Sequence, residues 1–142
     1  MEDNLQNVSD RSIGFSRFFI VMGAIFAALS VMLGAFGAHA LSEQLVGRSA
    51  DVWQTAVQYQ FFHSIGLIII GILLLLLTTP KLLRLAGFLF LIGTILFSGS
   101  LYLIALLSVK NLGLVTPLGG LFFIVGWILL ICAALLSTRI RA

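Results

Sequence analysis

Charge is what this chain lacks. Its 142 residues include eight Lys and Arg and five Asp and Glu, so charged residues make up 9% of the sequence, against about 25% in soluble domains. Hydrophobic residues reach 61%, and the mean hydropathy is +1.18. This composition excludes a soluble globular domain and a disordered segment. The eight cations are too few and too scattered for a nucleic-acid footprint. A single cysteine, Cys132, excludes an intrachain disulfide. Cys132 lies in an apolar run, where a free cysteine serves as a small packing residue.

The missing charges organise the chain. Residues 18–42, 52–80, 85–109 and 111–138 carry no Asp, Glu, Lys or Arg. A helix crosses a hydrocarbon core of about 30 Å with about 20 apolar residues, so each run suffices for one crossing and none for two. The expected spans are 18–38, 61–77, 85–107 and 118–136. Backbone groups find no water in lipid, which favours helices. The continuous runs, such as Leu73 to Leu77, lack the alternation of barrel strands. The predicted fold is therefore all-α, an integral membrane four-helix bundle in residues 17–138 whose sequential helices are antiparallel neighbours. Residues 1–16 are expected as a disordered tail and 139–142 as a second tail. Pro80 is expected to end the second helix.

Orientation follows from Lys and Arg in the short connections. Arg11, Arg17, Lys81, Arg84, Arg139 and Arg141 fall on one side, and only Arg48 and Lys110 on the other. This predicts both termini in the cytoplasm of a bacterial cell, with the chain in the cytoplasmic (inner) membrane. Ala38-His39-Ala40 has the form of a signal-peptidase site, but the preceding span is longer than a signal h-region of about 7–15 residues.

The longest connection, about 39–60, has a pattern of its own. Ser49 is a candidate helix cap, and Asp51 suits the positive end of the dipole. Asp51, Gln54, Thr55 and Gln58 recur at helical spacing as one polar face, opposite Val52, Trp53, Ala56 and Val57. An amphipathic helix with Trp and Tyr belongs at the membrane boundary.

The string Leu33 to Leu41, LGAFGAHAL, resembles the hallmark of the YgdD-like family, small uncharacterised four-span proteins of the bacterial inner membrane. Residues 55–64 (TAVQYQFFHS), 97–102 (FSGSLY) and 116–120 (TPLGG) fit the same pattern. The resemblance covers nearly everything from the first span to the fourth. It implies a family with no assigned activity and supports the fold and the location.

The spans hold no Asp, Glu, Lys or Arg, which removes the intramembrane carboxylate on which coupled transporters rely and the paired carboxylates of general acid–base catalysis. P-loop, dinucleotide and zinc-protease motifs are also missing. No enzyme activity and no cofactor or metal is expected. Two histidines on adjacent helices, with no third Cys or carboxylate beside them, make a thin ligand set. What remains is a polar cluster placed at the outer boundary: His39, His63, Gln60, Ser98, Ser100 and Tyr102 are the candidate ligand-binding residues. Interhelical hydrogen bonding is the structural reading of the same groups. Gly23, Ala27, Gly34 and Ala38 form a small-residue stripe, and Gly37, Gly93, Gly119 and Gly126 extend the set of expected packing positions. Small residues let helix backbones approach, within one bundle or between copies. The leading expectation is a non-enzymatic membrane protein whose partners are the bilayer and either a second copy or another membrane protein. The alternative is a binder or uncoupled facilitator of a small molecule or lipid, using the polar cluster.

Overall fold

A computed structural model describes residues 2–107 and 110–137, with side chains for 13–107 and 112–137. Four long helices follow one another: α1 (Glu2–Ala38), α2 (Arg48–Leu76), α3 (Pro80–Leu107) and α4 (Val115–Leu136), with a short 3₁₀ turn at Lys110–Leu114 before α4. No strand occurs among the described residues. All four helices are long and apolar enough to cross a membrane, so the chain is an all-α, four-span membrane protein.

The helix ends differ from the sequence reading in instructive ways. α1 begins at Glu2, so the stretch expected as a disordered tail continues the first helix; no Gly or Pro interrupts it before Gly14. The expected tail 139–142 lies outside the described residues, as do the side chains of Arg11, Lys110 and Asn111. α2 starts at Arg48, thirteen positions before the expected span, because the amphipathic segment and the apolar run are one helix. Its cap is Gly47, whose φ of 57° favours a residue without a Cβ. Ser49 is inside the first turn and donates to the Val46 carbonyl at 3.0 Å, so it is not the cap. Asp51 stands in the first turn as expected. Pro80 opens α3 rather than closing α2, at a position where a missing N–H costs nothing.

α2 and α3 form the central pair. α1 packs along α2 and α4 along α3, and α1 touches α3 little, through Phe15 and Phe19 against Phe88 and Gly87. The outer helices are accordingly more exposed: 44% of the most apolar stretch of α2 is buried, against 17% for α1 and 22% for α4. The main core joins Phe19, Leu67, Ile70, Leu74, Leu83, Ala86, Phe90 and Phe123. A smaller cluster of Leu45, Trp53 and Ala105 sits under the 39–47 connection.

Glycines set the helix spacing. A Cβ at Gly66 or at Gly126 would stand 2.7 Å or 2.6 Å from the Phe90 ring, so that ring is clasped between α2 and α4. Gly93 receives Phe123, Gly87 receives Phe19, Gly119 backs on Phe97, and Gly23 lies against Ser64 and Ile68. Gly37 makes room for the Trp53 indole, and Gly34 meets Val57. Of the expected packing positions, all six glycines lie against another helix of the same protomer. Ala27 is half-buried, and Ala38 is exposed at the end of α1.

Candidate functional site

Several polar side chains within the spans tie helices together, while Ser30, Ser64 and Thr94 bond back to carbonyls of their own helices. Gln60, on the α1-facing side of α2, spans three helices. Its Nε2 donates to the Phe26 carbonyl of α1 at 2.9 Å, and its Oε1 accepts from the Tyr102 hydroxyl of α3 at 2.9 Å. Tyr102 also meets the Trp53 ring edge-on at 4.7 Å, and the Trp53 indole donates to the Leu33 carbonyl at 3.0 Å. Ser100 bonds to the Phe97 carbonyl and to the Thr116 hydroxyl at 2.7 Å, joining α3 to α4. At the opposite end the α2–α3 turn is fastened to α4: Thr79 donates to the Ala133 carbonyl at 3.0 Å, and the Thr78 backbone N–H to the Ser137 hydroxyl at 3.2 Å.

His63 is the central group. The Trp127 indole donates to its Nε2 at 3.2 Å, and its Nδ1 lies 2.8 Å from the Tyr59 carbonyl. An indole N–H only donates and a carbonyl only accepts. The pair therefore selects the neutral ring with its proton on Nδ1. The ring stacks on Phe123 at 3.4 Å and 11° and meets Phe90 edge-on at 5.2 Å. Both nitrogens are engaged and both faces are covered or hemmed in. This geometry braces α4 against α2; it offers no open base, nucleophile or ligand atom.

The six candidate ligand residues do not form one site. Gln60 meets Tyr102, His63 meets neither, and Ser100 pairs with Thr116. Ser98 is buried with no hydrogen-bond partner for its hydroxyl. His39 is exposed at the end of α1, and its carbonyl accepts from Ser42. The expectation of a common depth at the outer boundary is also corrected. Gly23 lies beside Ser64, which puts His63 at the level of Gly23. Gly23 and Ala38 are about 22 Å apart along α1 at 1.5 Å per residue. His63 is thus in the middle of α2, far from His39. The apolar run that seemed to begin at residue 61 is only the continuation of a helix already thirteen residues long. Among the described residues no group of three or more His, Cys, Asp or Glu could hold a metal ion.

Trp127 and Thr79 are the structural residues the sequence reading missed. A Trp inside an apolar span is itself a signal, because its N–H finds a partner when buried; Thr79 carried no comparable mark.

With this geometry in hand, comparison with known proteins places the chain. Residues 33–120 match DUF423, described as a protein of unknown function. The chain belongs to this family. A UPF0382 membrane protein of Staphylococcus haemolyticus is 47% identical over 115 residues, covering 81% of this chain and 93% of the relative. The UPF0382 membrane protein YwdK of Bacillus subtilis is 43% identical over 118 residues, covering 83% and 96%. No solved structure matches. The expectation of an uncharacterised membrane family thus holds, while these matches carry the DUF423 and UPF0382 names and do not bear on the narrower YgdD-like label. The matched DUF423 segment contains His39, Gln60, His63, Ser98, Ser100, Tyr102 and Thr116, whereas Trp127 lies beyond it.

Proposed function

We propose that this DUF423 protein acts non-enzymatically, by association within the bilayer, through the outward flank of α1. The observation that carries the reading is a seam on that flank: Val21, Ala24, Ala28, Val31 and Ala35 are all exposed and follow spacings of three, four, three and four. A repeat of 3.5 is the spacing along which two helices stay in register, and small residues at it allow the close approach that drives association in lipid. The seam differs from the expected one. Gly23 and Gly34 point inward, and the alanines beside them face out. A second copy is the first partner to test. In a background with Cys132→Ala, Ala28→Cys is compared with Ile69→Cys, a control on α2 that is also exposed. Disulfide dimers in native membranes should form at Ala28 well above Ile69. Equal yields at both positions would reject self-association on this face.

The proposed setting is the bacterial cytoplasmic membrane with both termini inside, supported by the six-to-two distribution of Lys and Arg. An impermeant thiol reagent added outside should label Arg48→Cys and spare Lys81→Cys. The reverse pattern would invert the topology.

The binder alternative has one observation in its favour. A cavity of about 260 Å³ opens at the outer end, with Gly34, Ala38, Ser42, Trp53 and Gln54 among its walls. None of the six candidate ligand residues lines it, and those six satisfy one another or the backbone instead, apart from Ser98 and the exposed His39 side chain. Association is therefore the better supported reading.

A further inference from the structure

At the other end of the molecule, the end where α3 begins, a groove of about 420 Å³ runs between α1 and α3. Its walls are Gly14, Phe15, Phe18 and Phe88. The volume lies within the range of small-ligand sites, about 300–1,000 Å³. Basic residues stand directly above the apolar walls. Lys81, Arg84 and Phe88 share one face of α3 at i, i+3 and i+7. Along the helix axis Arg84 lies about 6 Å and Phe88 about 12 Å from Pro80, so the cations sit at headgroup depth and the phenyl ring at acyl depth. The Arg84 guanidinium is held against the groove wall: Cζ lies 5.1 Å over the Phe15 ring, and Nε donates to the Pro80 carbonyl at 3.2 Å. That arrangement leaves the terminal NH₂ groups as donors. Of the residues with described side chains, the carboxylates Glu43 and Asp51 are both at the opposite end of the molecule. Basic pockets between spanning helices bind anionic lipid headgroups in this way.

We propose that the groove between α1 and α3 seats an anionic phospholipid of the bilayer, its phosphate on Arg84 and Lys81 and an acyl chain along Phe15, Phe18 and Phe88.

The test is native mass spectrometry of the full-length, delipidated protein in detergent, titrated with phosphatidylglycerol or with phosphatidylcholine of the same chains. A basic residue near an anionic lipid surface contributes about 1 kcal/mol, about five-fold in affinity. The phosphatidylglycerol adduct is expected to exceed the phosphatidylcholine adduct on the order of ten-fold. Lys81→Gln with Arg84→Gln should erase that preference, and Lys81→Arg with Arg84→Lys should keep it. Gly14→Leu crowds the mouth of the groove without repacking the bundle, because a Cβ there meets nothing within 4 Å. It should weaken both adducts while the melting temperature stays unchanged. Equal retention of the two lipids by the unmodified protein, or a preference that survives the double Gln variant, overturns the headgroup assignment. Unchanged binding by Gly14→Leu overturns the assignment to this groove. Displacement of the lipid by millimolar inorganic phosphate would mark a plain anion site and overturn the assignment to a lipid.

Discussion

Gln60 is the sharpest place to perturb this fold, because one side chain joins three helices. Gln60→Met keeps the length of the side chain and removes both the bond to the Phe26 carbonyl and the bond from the Tyr102 hydroxyl. Interhelical hydrogen bonds in membrane proteins average about 0.6 kcal/mol and reach about 1.7. Two of them, with the Tyr102 hydroxyl left without its acceptor, predict a loss of about 1–3 kcal/mol. Tyr102→Phe removes one of the two bonds and keeps the ring on Trp53, so its predicted loss is about 0.5–1.5 kcal/mol. Because the two residues share a bond, the losses should not add. The cycle of single and double variants should give a coupling of about 0.6–1.7 kcal/mol. Gln58→Met is the control. Its side chain is exposed two positions away, and it should change stability by less than about 0.5 kcal/mol. Reversible unfolding in lipid–detergent micelles, followed by circular dichroism, measures all five proteins. A coupling near zero, or a Gln60 variant no weaker than the Gln58 control, would refute the bridge.

Gly126→Leu should destabilise by about 1–3 kcal/mol or more through overpacking, because even its Cβ would stand 2.6 Å from the Phe90 ring. Gly99→Leu should be tolerated, since nothing lies within 4 Å of a Cβ there; thermal melting of the two variants decides, and equal melting points would contradict the clasp around Phe90. Ser98→Ala removes a buried hydroxyl that has no partner, so it should be neutral or stabilise by up to about 1 kcal/mol. A loss above that in the same assay would reveal a partner for Ser98. His63→Phe should weaken the fold by about 1–3 kcal/mol by stranding the Trp127 N–H, whereas His39→Ala on the exposed end of α1 should leave stability within about 0.5 kcal/mol; equal effects of the two would contradict the central brace.

The number and order of the spans were legible because charge is costly in lipid and its absence marks each crossing. The amphipathic face of α2 was legible too: Asp51, Gln54 and Gln58 are exposed, and Trp53 and Ala56 are buried. What the pattern did not show was continuity. A polar face and an apolar run read as two segments, yet α2 is one helix from Arg48 to Leu76. That join moved His63 from a boundary to the middle of the helix and separated it from His39. Small-residue spacing was ambiguous for a related reason. Gly23 and Ala24 are neighbours in sequence about 100° apart around α1, and only the position of α2 determines which of them faces inward.

The same geometry bears on where function resides. In a membrane protein the interior is the usual place to look for chemistry, because polar groups there are costly unless used. Here they are used structurally. Gln60, Tyr102, His63, Trp127, Ser100 and Thr116 satisfy one another or the backbone and lock α1 to α2, α2 to α3, and both central helices to α4. An interior closed in this way resists opening, since each helix that leaves strands at least one partner. The two proposals accordingly place activity on what faces outward: the alanine seam of α1, and the basic groove where α1 meets α3. The two surfaces lie at different levels of α1, with Ala28 about 15 Å further along the helix than Phe18. Seam and lipid groove are therefore separable by mutation, and Ala28→Leu should weaken association without touching the lipid preference that Lys81 and Arg84 confer.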